Sequence, residues 1–167
     1  MPSRQELVNL VNAAADRYGI DRTIAYNQIN QESGFNPNAR SSAGALGLAQ
    51  FIPATARQYG INPLDPAQAA DGWGRYMRKS LDAFEGRYDL ALASYNWGSN
   101  HAALRLALRT GAPPLGLPQE TANYVAKILG KSGDYSRAAA TAAASPLGIS
   151  SLGLILIGAI VLISLGD

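Results

Sequence analysis

The 167-residue chain carries no charged side chain between residues 138 and 166. Residues 147–166, LGISSLGLILIGAIVLISLG, are mostly apolar, and a helix of this length spans about 30 Å, close to the hydrocarbon thickness of a bilayer. A helix that is apolar on every face must be covered on all sides, which a small domain cannot do. We therefore expect a transmembrane helix at residues 147–166, an alanine-rich linker at residues 136–146 and a folded domain at residues 1–135.

The folded domain is expected to be mainly α-helical, with a single core. An apolar fraction of 47% and a charged fraction of 16% suit one domain at this length. Ser3 and Glu6 have the spacing of a capping box, and Gly19 is well placed to end the first helix. Asp21 is expected to cap a second helix that stops near Gly34.

Five further helical patterns follow. One covers residues 53–59, and the next begins at Asp65 and Pro66, which suit the N-cap and N1 positions. The side chains of that helix that recur at core-facing spacing are Ala70, Trp73, Met77, Leu81 and Phe84. Asp89 is expected to cap the following helix, which ends at Gly98. Residues 101–110 predict another helix, and Pro118 suits the N1 position of the last.

Residue types that are rare or missing exclude several kinds of site. The absence of cysteine excludes disulfides, thiolate metal sites and cysteine nucleophiles. His101 is the only histidine, so a zinc site of several histidines cannot be built, and a surface or helix-capping role is favoured for it. The net charge of +2 comes without a run of lysines or arginines, so we expect no nucleic-acid partner. We also expect no cofactor and no metal.

Glu32 is the strongest candidate for chemistry. It lies in the last turn of the second predicted helix, where the negative end of the helix dipole and apolar neighbours disfavour an ionised carboxylate. A carboxyl group that stays protonated near neutral pH can donate its proton to a leaving oxygen, as cleavage of a glycosidic bond requires. Taken alone, a glutamate at a helix end is more often a solvated surface residue than a catalytic acid.

Three separated motifs carry a more specific signal. Glu32 and Ser33 are followed by N-P and by S-x-A-G-A-x-G-L-A-Q over residues 41–50, then by ALASYNWG at 91–98 and PQETANYV at 118–125. In this order the motifs closely resemble those of the lytic transglycosylases with a soluble-lytic-transglycosylase (SLT) domain, over roughly residues 3–132. The resemblance implies a lysozyme-like fold of the goose-type or SLT kind.

The resemblance also implies an activity and a set of site residues. Glu32 corresponds to the catalytic acid of a peptidoglycan lyase, which cleaves between N-acetylmuramic acid and N-acetylglucosamine and leaves a 1,6-anhydro end. The matching substrate-binding positions are Ser41, Gln50, Tyr95, Asn96, Glu120 and Tyr124. Five of the six have a plainer interpretation: a flexible polar loop for Ser41 and Gln50, core packing for Tyr95, helix capping for Asn96, and a charge at a helix start for Glu120.

Two other functions remain open. A lysozyme of the same fold would use water in place of the muramoyl C6 hydroxyl. A protein that only binds glycan would serve as a structural membrane component of an assembly. The presence of Glu32 together with Ser41, Gln50 and Tyr95 favours an enzyme over a protein that only binds glycan.

The sequence gives conflicting signals about the membrane. Lys127, Lys131 and Arg137 precede the apolar segment and only Asp167 follows it, so the positive-inside rule keeps the domain in the cytoplasm, away from peptidoglycan. The amino-terminal residues lack the pattern of a secretory signal. Both features fit a protein of a virion with an internal membrane, as in the similar transglycosylases of some bacteriophages, where other virion membrane proteins are possible partners. The alternative is a bacterial inner-membrane enzyme with a periplasmic domain.

Overall fold

The computed structural model describes residues 1–130, and seven α-helices make up most of this range. They are α1 (Arg4–Tyr18), α2 (Arg22–Ser33), α3 (Pro53–Tyr59), α4 (Pro66–Ala83), α5 (Tyr88–Trp97), α6 (Ala102–Thr110) and α7 (Gln119–Leu129). Within residues 1–130, no helix is both long and apolar enough to cross a bilayer. The predicted linker (136–146) and transmembrane helix (147–166) lie outside the described residues.

Local capping signals fix both ends of the first two helices. The Ser3 hydroxyl accepts from the backbone N–H of Glu6, whose carboxylate accepts in return from the Ser3 N–H at 2.7 Å. The Asp21 carboxylate accepts from the first backbone N–H groups of α2. Gly19 and Gly34 end these helices in the left-handed conformation. The predicted capping box, N-cap and stops are confirmed.

Two of the later capping predictions are wrong, and the one for His101 is confirmed. Asp89 does not cap α5: the N-cap residue is Arg87, whose guanidinium pairs with the Asp89 carboxylate at 2.6 Å. The helix begins one residue before Asp89, so this carboxylate lies within the first turn and pairs with Arg87. Pro118 is the N-cap residue of α7 and not N1. His101 begins α6 as expected, with its ring stacked on Trp97 at a centroid distance of 3.5 Å.

Helix α4 lies at the centre, between α1 and α5, and α7 packs against both α2 and α5. The predicted stripe of α4 is buried, from Ala70 and Trp73 to Phe84. Gly74 lets α1 approach closely, because a Cβ atom there would overlap the ring of Tyr18. The packing of α7 against α2 and α5 brings side chains of these three helices together around Glu32.

The segment between α2 and α3, which we call the 34–52 loop, has defined backbone pairing. Leu46 forms isolated antiparallel bridges with both Arg40 and Phe51. Gly47 has a φ of 75°, and a Cβ atom at this position would overlap the carbonyl oxygen of Pro63. The loop therefore lies directly on the turn that precedes α4.

Candidate active site

Glu32 lies in the last turn of α2 and bonds to a side chain that is far away in sequence. The hydroxyl of Tyr124, on α7, donates to Oε1 of Glu32 at 2.5 Å. Tyr124 is buried, with 6% of its surface exposed. The packing of α7 against α2 thus provides the carboxyl group with a fixed hydrogen-bond donor.

Burial of the Glu32 carboxyl group raises its pKa to about 7, and the hydrogen bond from Tyr124 opposes this increase. The increase was predicted from apolar neighbours and from the helix end, and desolvation by the surrounding protein is its main cause. Other acidic side chains of residues 1–130 have lowered pKa values, namely Glu6, Asp16, Asp65 and Asp71. Glu32 is therefore suited to hold a proton near neutral pH.

Gln28 is a site residue that the sequence did not reveal. It lies one helical turn before Glu32, and its side chain is completely buried. Its amide nitrogen donates to the Tyr124 hydroxyl at 3.1 Å, so that Gln28, Tyr124 and Glu32 form a continuous chain of hydrogen bonds. The signal in the sequence was the i, i+4 spacing of Gln28 and Glu32, but the partner is 96 residues from Gln28.

The 34–52 loop is attached to two helices through its backbone. The Ser33 hydroxyl, at the end of α2, donates to the carbonyl oxygen of Leu48 at 2.7 Å. The Tyr95 hydroxyl, on α5, donates to the next carbonyl oxygen, that of Ala49, also at 2.7 Å. These bonds fix the position of the loop relative to Glu32.

Tyr95 belongs to an aromatic cluster with Phe51, Tyr59 and Tyr76. Its ring meets those of Tyr76 and Phe51 edge to face, at centroid distances of 4.8 and 6.3 Å. Burial raises the pKa of Tyr76 to about 12. Burial and the nearby Glu32 carboxylate raise the pKa of Tyr95 well above its usual value. Both phenols therefore stay neutral, and Tyr95 acts near Glu32 as a hydrogen-bond donor to the loop.

Replacing Tyr95 with phenylalanine is expected to lower the free energy of unfolding by about 1–2 kcal/mol, because the Ala49 carbonyl oxygen loses its donor while the ring packing stays. Urea denaturation measures this change. The matched control is Tyr26→Phe, since the Tyr26 hydroxyl belongs to an exposed side chain and accepts a long hydrogen bond from Arg4, at 3.3 Å. Equal effects of the two substitutions would contradict a specific role for the Tyr95 bond.

Ser41 and Gln50 use their polar atoms within the 34–52 loop. The Ser41 hydroxyl accepts from the Ala45 backbone N–H at 3.0 Å. The Gln50 amide donates to the carbonyl oxygens of Gly47 and Ala39 at 2.9 and 3.4 Å. Both residues shape the loop next to Glu32, and saccharide contact by either stays a prediction.

A cleft of about 190 Å³ lies beside Tyr124, between α5 and α7. The residues that line it are Gln31, Asn96, Glu120, Asn123, Tyr124 and Lys127. Asn96 is held by Thr121, whose hydroxyl donates to Oδ1 of Asn96 at 2.7 Å. Three predicted substrate-binding residues, Asn96, Glu120 and Tyr124, are thereby brought together. Glu32 is not among the lining residues, but it is hydrogen bonded to Tyr124, which lines the cleft.

Known proteins similar to this chain include transglycosylases of a phage and of bacteria. A transglycosylase of Enterobacteria phage PRD1 is 32% identical over 124 residues, which are 74% of this chain and 44% of the phage protein. Membrane-bound lytic murein transglycosylase F of Shewanella halifaxensis is 42% identical over 93 residues, which are 50% of this chain and 20% of the relative. The 70 kDa soluble lytic transglycosylase of Escherichia coli has a similar structure, with a TM-score of 0.61 and 25% identity over 77% of this chain and 24% of that one.

The chain thus spans less than half the length of these relatives. The structural match confirms the predicted mainly helical, lysozyme-like fold for the described residues. The sequence pattern of the family described as the transglycosylase SLT domain matches residues 9–110, which include Glu32, the 34–52 loop and Tyr95. The chain belongs to the transglycosylase SLT domain family.

Proposed function

We propose that this protein is a lytic transglycosylase that cleaves the β-1,4 bond between N-acetylmuramic acid and N-acetylglucosamine in peptidoglycan. The observation that carries the proposal is the Glu32 carboxyl group, which has a pKa raised to about 7 and bonds to Tyr124 beside a cleft. Family membership and the names of the relatives support the same activity.

In the proposed reaction, Glu32 acts first as an acid and then as a base. It donates its proton to the glycosidic oxygen, the bond from that oxygen to C1 of the muramoyl residue breaks, and N-acetylglucosamine leaves as an alcohol. The Glu32 carboxylate then removes the proton from the muramoyl C6 hydroxyl, whose oxygen bonds to C1. This closes a 1,6-anhydro ring without water and leaves Glu32 protonated for the next cycle.

The electrostatics of the site favour this route over hydrolysis by two carboxylates. A hydrolase of the usual kind needs a second carboxylate close to the acid, as a nucleophile or base. Among residues 1–130, no second carboxylate contributes to the raised pKa of Glu32, which is set by burial and by the hydrogen bond from Tyr124. Glu120 lines the neighbouring cleft from the first turn of α7, where a role in binding substrate suits it better.

The cleft supports a role in glycan binding for the residues expected from the sequence. Asn96 and Glu120 line it and can hydrogen bond to saccharide hydroxyl and acetamido groups. Tyr124 lines it as well and would contact the saccharide, while its hydroxyl stays bonded to Gln28 and Glu32. We assign Ser41, Gln50 and Tyr95 to the side formed by the 34–52 loop, because Tyr95 and Gln50 fix the backbone of that loop.

The experiment that tests the function is mass spectrometry of fragments released by the full chain from purified peptidoglycan. Fragments with 1,6-anhydro ends, lighter by one water than the hydrolysis products, are the expected result. Reducing ends would instead identify a lysozyme. Glycan binding without released fragments would favour a non-catalytic structural protein, which is the second alternative.

The rate of fragment release is expected to depend on pH and to decrease above about pH 7. Because Glu32 must be protonated to act as the acid, kcat/KM is expected to fall as pH rises through the Glu32 pKa of about 7. Initial rates of fragment release between pH 5 and 9 measure this decrease. A sedimentation assay of binding to peptidoglycan over the same range is the control, and a parallel loss of binding would assign the decrease to another group.

We further propose that residues 147–166 anchor the enzyme in the internal membrane of a virion, where it opens the cell wall during genome entry. The apolar segment supports the anchor, the phage relative supports the setting, and relatives named as membrane-bound support membrane attachment in general. Substitution of Ile157 by lysine, near the middle of the segment, should release the protein from membranes in a flotation assay. Detection only in envelopes of uninfected bacteria, and never in purified particles, would reject the virion setting.

A further inference from the structure

The side chains of Gln28, Tyr124 and Glu32 form a chain of hydrogen bonds that runs from α2 to α7 and back. Gln28 Nε2 donates to the Tyr124 hydroxyl at 3.1 Å, and this hydroxyl donates to Glu32 Oε1 at 2.5 Å. Gln28 is completely buried, and Tyr124 is 6% exposed. The order of donors and acceptors is therefore set inside the protein.

The amide of Gln28 determines where the Tyr124 proton points. A phenol has one proton to donate, whereas an amide nitrogen can donate but not accept. With the amide nitrogen facing the phenol, the Tyr124 proton is directed to Glu32. If a carbonyl oxygen faced the phenol, it would compete with Glu32 for that proton, and the phenol oxygen would be free to accept the carboxyl proton of Glu32.

The same arrangement determines which oxygen of Glu32 carries its proton. Oε1 accepts the bond from Tyr124 and is thus disfavoured as the protonated atom. The carboxyl proton is left on Oε2, where it has no competing use in this chain of hydrogen bonds. We infer that Gln28 is a positioning residue, which acts through Tyr124 to keep the Glu32 proton available for the glycosidic oxygen.

The burial of Gln28 is hard to explain by folding alone. Its carbonyl oxygen Oε1 is buried without a hydrogen-bond partner within residues 1–130. A buried polar atom without a partner is unfavourable, and an apolar side chain of the same size would avoid this cost. The bond from its amide nitrogen to Tyr124 accounts for a glutamine at this buried position.

Other groups near Glu32 do not replace this effect. The phenol of Tyr95, on α5, faces the carboxylate and donates to the Ala49 carbonyl oxygen. From α1, Arg4 bonds to Asn30 and to the Gly34 carbonyl oxygen, at the end of α2. On α7, the charged residues that line the cleft beyond Tyr124 are Glu120 and Lys127. Tyr124 is the hydrogen-bond donor that lowers the Glu32 pKa.

The test substitutes Gln28 with methionine, which has a similar size and no donor, in the full chain. The activity part of this inference depends on the proposed function. We expect a kcat roughly 10- to 100-fold lower, an unchanged KM and an alkaline limb of kcat/KM shifted to higher pH by about one unit, since Tyr124 no longer donates reliably to Glu32. The melting temperature should be unchanged or higher. In a Tyr124→Phe background the same substitution should have little further effect.

A second readout does not depend on activity. Carbon-13 labelling of the four glutamates allows the Glu32 carboxyl group to be titrated by NMR, with Glu32→Gln assigning its signal. A Glu32 titration that moves to higher pH in Gln28→Met supports the positioning role even if wild type releases no fragments, in which case only the proposed function fails. An unchanged titration with unchanged kcat would overturn the inference.

Two controls separate positioning from folding. Ser80→Ala removes a buried polar group on α4 whose hydroxyl accepts from Ser94, away from Tyr124 and Glu32, and should leave the Glu32 titration unchanged. If Gln28→Met does not fold, Gln28→Asn replaces it in the test. Asparagine keeps the amide group but is one methylene shorter and does not reach Tyr124, so the Glu32 titration is again expected to move to higher pH. Loss of activity that follows only a lower melting temperature, with no shift in titration, would assign Gln28 a structural role and overturn the inference.

Discussion

Substitution of Glu32 by glutamine is expected to reduce release of fragments from peptidoglycan by roughly 10³- to 10⁴-fold, at the upper end of what one acid–base group contributes. Glutamine keeps the size of the side chain but can neither donate a proton to the glycosidic oxygen nor remove one from the C6 hydroxyl. Both proposed steps are therefore lost in one change. Liquid chromatography of released muropeptides measures the rate, and binding to peptidoglycan should persist.

The stability of this variant provides an internal control. The pKa of Glu32 is raised above its unfolded value of about 4.5, so the folded state holds the proton more tightly. The resulting stability is fully present below about pH 4.5 and is lost as pH rises to about 7. Glutamine cannot ionise, so Glu32→Gln should melt at a higher temperature than wild type at pH 8, with a smaller difference at pH 5. A variant that is inactive and also less stable at pH 8 would point to misfolding.

Substitution of Gly47 by alanine is expected to destabilise the protein by about 3–5 kcal/mol, enough to unfold many domains of this size. Two effects add. The φ of 75° is unfavourable for any residue with a Cβ atom, and this Cβ would overlap the carbonyl oxygen of Pro63. Because the overlap is with backbone, neither the 34–52 loop nor the turn before α4 can relieve it by a change of rotamer. Urea denaturation followed by circular dichroism measures the loss.

Gly44→Ala is the matched control for Gly47→Ala. Gly44 lies in the same loop with a φ of 84°, but a Cβ atom there meets nothing within 4 Å. It should cost only the backbone strain, about 1 kcal/mol. The difference between the two variants isolates the overlap with Pro63. Equal losses would mean that the loop can move away from the turn, contrary to the packing described here.

The sequence predicted the helices well because their ends are fixed by local chemistry. Ser3 and Glu6 bond to each other's backbone, and Gly19 supplies the left-handed residue that ends α1. These interactions span only a few residues and need no knowledge of the fold. The prediction for Asp89 was wrong because α5 begins one residue earlier, at Tyr88, so Asp89 lies within its first turn and pairs with Arg87. A shift of one residue at a helix start is not contained in a pattern of residue types.

The site was predicted in part, through the resemblance and through Glu32. The raised pKa of Glu32 was expected, but its magnitude depends on burial by α5 and α7, which are distant in the sequence. The bond from Tyr124 joins residues 92 positions apart, and no periodicity predicts it. Gln28 was missed for the same reason, since a glutamine on the buried face of a helix gives no sign of its partner until the helices are packed.

The attachment of the 34–52 loop by two peptide carbonyl groups has a consequence for how this fold can diversify. Ser33 and Tyr95 bind the carbonyl oxygens of Leu48 and Ala49, and every amino acid offers such an oxygen. The helices therefore hold the loop without depending on most of its side chains. Residues near the loop tip, such as Ser42 and Ala43, can be exchanged between relatives or in engineered libraries without moving Glu32. Under the proposed function, selectivity for different wall polymers can thus change through these residues while the position of Glu32 stays constant.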